Sequence, residues 1–145
     1  MHQGSCLCES IQYEIESDLK AVVNCHCKFC SKAHGAAFTT LLFMPFSDIR
    51  ITTGVEHIAR HHLERSNADR CFCVKCGTRL FNHAPQAGMI SLIVATLHDG
   101  GALRPIAHLN TESKCAWFQI TDSLPQFAST PPPAQLRELI AEAYP

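Results

Sequence analysis

Charge is scarce in this chain. Asp, Glu, Lys and Arg make up 17% of its 145 residues, and 12 basic against 13 acidic side chains leave a net charge of −1. That balance sets up no long-range basic field, which argues against nucleic acid as a partner and against an anionic lipid surface. A long apolar run is also missing. The longest, around "MISLIVATL" (89–97), is too short to span a bilayer, so no membrane partner is expected. The amino end, "MHQGSCLCES", lacks the basic-then-apolar order of a secretory signal. The expected location is therefore a reducing cytoplasm, where disulfides are rare.

Sulfur is what the chain has in plenty. Its nine cysteines are an odd number, so disulfides alone cannot use them all. Seven of them fall in three short stretches, "GSCLCES" at the amino end, "CHCKFC" from Cys25 to Cys30, and "CVKCG" from Cys73 to Gly77. In a reducing compartment such clusters read as metal ligands or catalytic thiols.

The rest of the chain has an ordinary globular balance, with 46% hydrophobic residues. A chain of this length buries roughly 68–70% of its unfolded surface, enough for a real core. "IQYEIES" sets Ile11, Tyr13 and Ile15 against Gln12, Glu14 and Glu16, the alternation of a half-buried strand. "AVVN" (21–24), "AAFTTLLFMP" (36–45), "VEHIARHHL" (55–63), "TRLFN" (78–82), "MISLIVATL" and "CAWFQI" (115–120) read as further strands. The proline-rich "SLPQFASTPPP" is followed by Leu136, Leu139, Ile140 and Ala143 at helical spacing, behind Pro133. This predicts a short amphipathic C-terminal helix that docks one face, on its own chain or in a homo-oligomer. The expectation is an all-β, β-rich fold, with one domain over residues 1–128 and a connector plus helix over 129–145.

Zinc takes tetrahedral thiolate sets, and a Cys-x-x-Cys turn brings two sulfurs to one point. "CVKCG" and "CKFC" (27–30) have that form, and Gly77 suits the positive φ of such a turn. The Cys-x-Cys pairs Cys6/Cys8 and Cys25/Cys27 can share a metal only if the backbone bends there. Gly4 and Ser5 are read as permitting that bend. Two partitions fit the spacing. Either Cys27, Cys30, Cys73 and Cys76 form one site, or Cys6 and Cys8 join Cys73 and Cys76 while Cys25, Cys27 and Cys30 hold a second metal with an open position. His34, four residues beyond Cys30, is a candidate fourth donor.

Taken in order, "GSCLCESIQYEI", "CHCKFCSKAHGAAF", "RCFCVKCGTRLF", "ATLHD" and "AHLNTESKCAWFQITDSLPQF" resemble the glutathione-dependent formaldehyde-activating enzyme family, which includes the domain of centromere protein V. The resemblance covers about residues 4–127. It implies a β-tent of small antiparallel sheets stapled by two zinc ions. It implies structural ligands Cys6, Cys8, Cys73 and Cys76, and catalytic ligands Cys25, Cys27 and Cys30. His108 matches a family histidine near the site, with a role in substrate binding or proton transfer. The implied activity is that of a carbon–sulfur lyase joining a small thiol such as glutathione to formaldehyde or a related aldehyde. The alternative is a zinc-stabilised binding module without catalysis. His98-Asp99 stands where the family often has an acidic pair, and Cys71 and Cys115 are additional thiols. Cys71 reads as a small core residue, His57, His61 and His62 as surface residues, Trp117 and Phe118 as core, and Arg70 and Arg79 as solvated.

Overall fold

The computed structural model describes residues 1–145. The chain forms two compact units, one of Met1–Leu19 with Leu42–Leu103, the other of Lys20–Leu41 with Arg104–Pro145. No helix is long and apolar enough to cross a membrane.

The first unit begins with a three-stranded antiparallel sheet of β1 (His2–Ser5), β2 (Gln12–Ile15) and β5 (Ile49–Thr53), in the order β1-β2-β5. The expected alternation holds in β2, where Tyr13 and Ile15 are buried and Gln12 is exposed. Gly4 faces Tyr13 in the register. A Cβ there would lie 2.3 Å from Cζ of the tyrosine ring and 2.6 Å from the Thr96 carbonyl oxygen. Gly4 is thus required for close packing rather than for a bend. The same unit holds an antiparallel meander of β6 (Ile58–Leu63), β7 (Ala68–Cys73), β8 (Arg79–Ala84) and β9 (Met89–Ile93). The Cys73-to-Gly77 knuckle is the turn that joins β7 to β8. At the next turn, Pro85 starts a 3-10 turn that ends on Gly88 at φ 62. The stretch read as one strand from 89 to 97 breaks after Ile93 into a 3-10 turn, Val94–Thr96. "VEHIARHHL" likewise splits into a 3-10 turn, Val55–His57, and β6.

Strand β4 (Thr39–Pro45) begins in the second unit and continues into the first, where β9 is its neighbour. In the second unit its neighbour is β3 (Val22–Cys25), all four residues of which are buried. On the far side of β3 lies β10 (His108–Leu109), paired parallel with it, His108 opposite Asn24 and Leu109 opposite Cys25. The β-rich fold of small, mainly antiparallel sheets is as expected, with this one parallel pair added. A parallel partner needs a long crossover, and residues 26–107 lie between the two strands.

Helix α1 (Lys28–His34) follows β3 and was not anticipated from the sequence. "CAWFQI" is not a strand. The Phe118 amide donates to the Cys115 carbonyl at 3.1 Å. The Lys114 ammonium donates to the same carbonyl at 3.2 Å and also to that of Phe118. These bonds curl the backbone and leave Trp117 76% exposed, so it is not a core residue. The predicted tail helix is α2 (Pro133–Ala143), with proline in its first turn, and it belongs to this second unit.

Candidate metal centres

In the first unit, Cys6 leads out of β1 into a tight turn. Its carbonyl accepts the Glu9 amide at 2.9 Å, and Glu9 takes the left-handed φ of 58. That turn makes the bend expected from Gly4 and Ser5, and it folds the Cys-x-Cys pair so that the two sulfurs lie 3.6 Å apart. On the other side, the Gly77 amide donates to the Cys73 carbonyl at 2.8 Å, with Gly77 at φ 75 as its position in the knuckle required. Cys8 and Cys73 sulfurs are 3.9 Å apart. Thr78 ties the two loops together. Its hydroxyl accepts the Leu7 amide at 3.0 Å and so turns its proton toward the Cys76 sulfur, 3.1 Å away. Nothing in the spacing pattern marked Thr78.

The sulfurs of Cys6, Cys8, Cys73 and Cys76 all lie within 4.8 Å of one another. Four thiolates at ~2.3 Å from a tetrahedral zinc are spaced about 3.8 Å apart, and the 3.6 and 3.9 Å separations fit that spacing. Burial pushes the Cys6 thiol up to about 11, whereas the Thr78 hydroxyl holds Cys76 down at about 5.

In the second unit, the sulfurs of Cys25, Cys27 and Cys30 form the other group within 4.8 Å. Cys25 ends β3. Cys27 caps α1, its sulfur accepting the Cys30 amide at 3.3 Å. Cys30 is the one buried residue of that helix, and Gly35 ends it at φ 60. The Cys25 and then the Cys30 sulfur hold the Cys27 thiol down at about 2, while the Cys30 thiol is pushed up by its two sulfur neighbours. One thiol of the trio ionises readily and the others resist, as expected when like charges crowd together without a cation. Of the two partitions open from spacing, the structure brings together the four-against-three set. His34, at the end of α1, is not in the trio's group.

His26, between two of these cysteines, points into an aromatic cluster. Its ring lies 5.1 Å from Phe38 and 6.0 Å from Phe118. His26 Nε2 is 2.8 Å from His108 Nδ1, and His108 Nε2 is 2.9 Å from Asp122 Oδ2. A carboxylate accepts, so His108 donates from Nε2 to Asp122, while its Nδ1 shares a hydrogen bond with His26 Nε2. Burial keeps His26 below the usual histidine range. The Leu124 amide and then His108 keep the Asp122 carboxyl low. Asp122 was not foreseen, because its partner is 14 residues away in a segment without periodic pattern. Cys71 is fully buried, with its thiol pushed up to about 11 by burial, an inert core residue. Arg70, read as solvated, is 7% exposed.

The order of these cysteine blocks matches the family model for the glutathione-dependent formaldehyde-activating enzyme over residues 1–113. The chain belongs to that family. A crystal structure of a Rhodobacter sphaeroides protein is similar in fold, at TM-score 0.57. It is 22% identical, and the match covers 71% of this chain and 91% of that one. As a family member, the protein carries two cysteine clusters able to hold metal ions, one of four sulfurs and one of three.

Proposed function

We propose that the protein is a zinc-dependent carbon–sulfur lyase of the S-(hydroxymethyl)glutathione synthase type, acting on glutathione or a related small thiol and on formaldehyde or a related aldehyde. The observation that carries this reading is the asymmetry of the two sulfur groups, four against three, in a chain of this family. Four thiolates fill a tetrahedral zinc and make a closed structural site. Cys25, Cys27 and Cys30 would hold a second zinc through three sulfurs only, which would leave room for a substrate donor.

A zinc ion held by Cys25, Cys27 and Cys30 would supply the positive charge that keeps a thiol deprotonated near neutral pH. The thiolate sulfur of the substrate attacks the carbonyl carbon and a carbon–sulfur bond forms. The carbonyl π pair moves to oxygen, which takes up the proton the thiol gave away. Holding the two reactants together contributes the rest through proximity. His108 was expected to transfer that proton or bind substrate. Both of its ring nitrogens are engaged, by His26 and Asp122, so we assign it instead to holding His26, the residue between Cys25 and Cys27.

The test is Cys27→Ser. The variant is expected to keep its fold and one zinc of two, and to lose its acceleration of adduct formation. Because formaldehyde adds to thiols unaided, rates are read against a metal-free control. Full activity in the variant, or loss of both ions at once, overturns the reading.

A further inference from the structure

Asn110 stands at a left-handed backbone position, φ 58 and ψ 40, at the end of β10. Its Nδ2 lies 3.3 Å from the Cys25 sulfur. A thiolate only accepts, so the amide must present its nitrogen there and not its oxygen. The Thr130 hydroxyl sits across the same amide, 3.1 Å from Nδ2 and 3.3 Å from Oδ1. It is held in place by the chain before α2, where the Thr111 amide donates to the Phe127 carbonyl at 3.0 Å and the Glu112 amide to that of Ala128 at 3.3 Å. Cys27 receives a comparable bond, but from the Cys30 backbone, which no side-chain change removes. The bond to Cys25 depends on two side chains, one of which, Thr130, lies beyond the residues matched by the family model.

We propose that Asn110 is a positioning residue for the three-sulfur centre: braced by Thr130, its amide aims the Cys25 sulfur and draws charge from it. This rests on the reading that Cys25, Cys27 and Cys30 hold a metal. Hydrogen bonds to a ligand orient it and tune its donor strength, and their loss typically costs about 10–100-fold in metal affinity. Without the amide, Cys25 carries more negative charge and has more freedom to swing away.

The experiment replaces zinc with cobalt(II), whose sulfur-to-metal charge-transfer band reports thiolate charge, and measures the affinity of each ion by chelator competition. Asn110→Gly is the informative variant, because glycine keeps the left-handed backbone and removes only the amide. The expected result is two cobalt ions per chain in the wild type. In Asn110→Gly, one site is weakened about 10–100-fold and its band moves to longer wavelength, while the other site is unchanged. Thr130→Val is expected to shift both readouts in the same direction by less, and Thr130→Ser to match the wild type. If Asn110→Gly does not fold, Thr130→Val alone decides. Two cobalt ions per chain with unchanged band and affinity in the variants overturn the role of Asn110 while leaving the three-sulfur centre intact. One cobalt ion per chain in the wild type overturns that centre, and this inference with it.

Discussion

Two positions in the first unit show how much a single residue carries. At Gly4, the tyrosine ring occupies the space of a Cβ, and Tyr13 is itself held by a 2.6 Å hydrogen bond to Thr96. Gly4→Ala should therefore destabilise the metal-loaded protein by about 1–3 kcal/mol, the usual cost of overpacking. Urea unfolding would measure it, and an unchanged midpoint would show that the strands part without cost. His83 is 8% exposed, with the Phe46 ring stacked on it at 4.3 Å and the Arg60 guanidinium 3.5 Å from its Nδ1. Arginine only donates, so Nδ1 accepts and the ring is neutral. Burial and then the Arg60 charge keep its pKa below the ordinary 6.5. The unfolded chain thus binds this proton more readily than the folded one. The contribution of His83 to stability is complete above about pH 6.5 and is lost as pH falls below it. In thermal melts from pH 7.5 to 5.5, His83→Gln should lose less stability than the wild type; equal losses would place the acid sensitivity elsewhere.

Among the elements, α1 depends most on the sulfur chemistry. It has seven residues, only Cys30 is buried, and its cap is Cys27. A helix this short does not persist in water on its own. Two of the three candidate ligands lie at its start, so a cation there ties its first turn to β3. Mild chelation that removes one ion should speed amide exchange of residues 31–35 by about tenfold or more, while β7 and β8 stay protected. Exchange that does not respond to chelation would mean that packing alone holds α1. The helix escaped notice in the sequence because "CKFCSKAH" has no apolar face. Its signals are a capping sulfur, Cys27, in place of the usual oxygen, which the metal reading took up, and a terminal glycine, Gly35. The opposite error occurred at "CAWFQI", whose apolar content suggested a strand while Lys114 held the backbone in a turn.

At the scale of the whole molecule, each compact unit contains one sulfur set, Cys6, Cys8, Cys73 and Cys76 in the first and Cys25, Cys27 and Cys30 in the second. Cys8 and Cys73 are 65 residues apart in sequence. A metal there would clip the amino end to the β7–β8 turn. Structural zinc supplies roughly 10–16 kcal/mol of apparent binding free energy in small finger peptides, against a whole-domain stability of about 5–15 kcal/mol. Cys76→Ser is accordingly expected to yield insoluble or unfolded protein. A cooperative melt at the wild-type temperature with full zinc content would remove the structural role from this set. The contrast with Cys27→Ser, expected to stay folded, is the sharpest check on the division of labour.

The family and its seven clustered cysteines were legible in the sequence, because each motif is local: a knuckle, a Cys-x-Cys pair, an alternating strand, an amphipathic tail. Spacing alone left the partition of those cysteines open, since both groupings satisfy it; the family resemblance implied four against three, and the chain crossings bring that set together. The partners of the sites, Thr78 for Cys76, Asn110 for Cys25 and Asp122 for His108, were not legible. These are ordinary polar residues without a pattern of their own. Asn110 and Cys25 stand 85 positions apart, and only the parallel pairing of β10 with β3 brings them together. Local physics thus wrote the ligands into the chain, and long-range strand pairing decided which ligands meet and what steadies them.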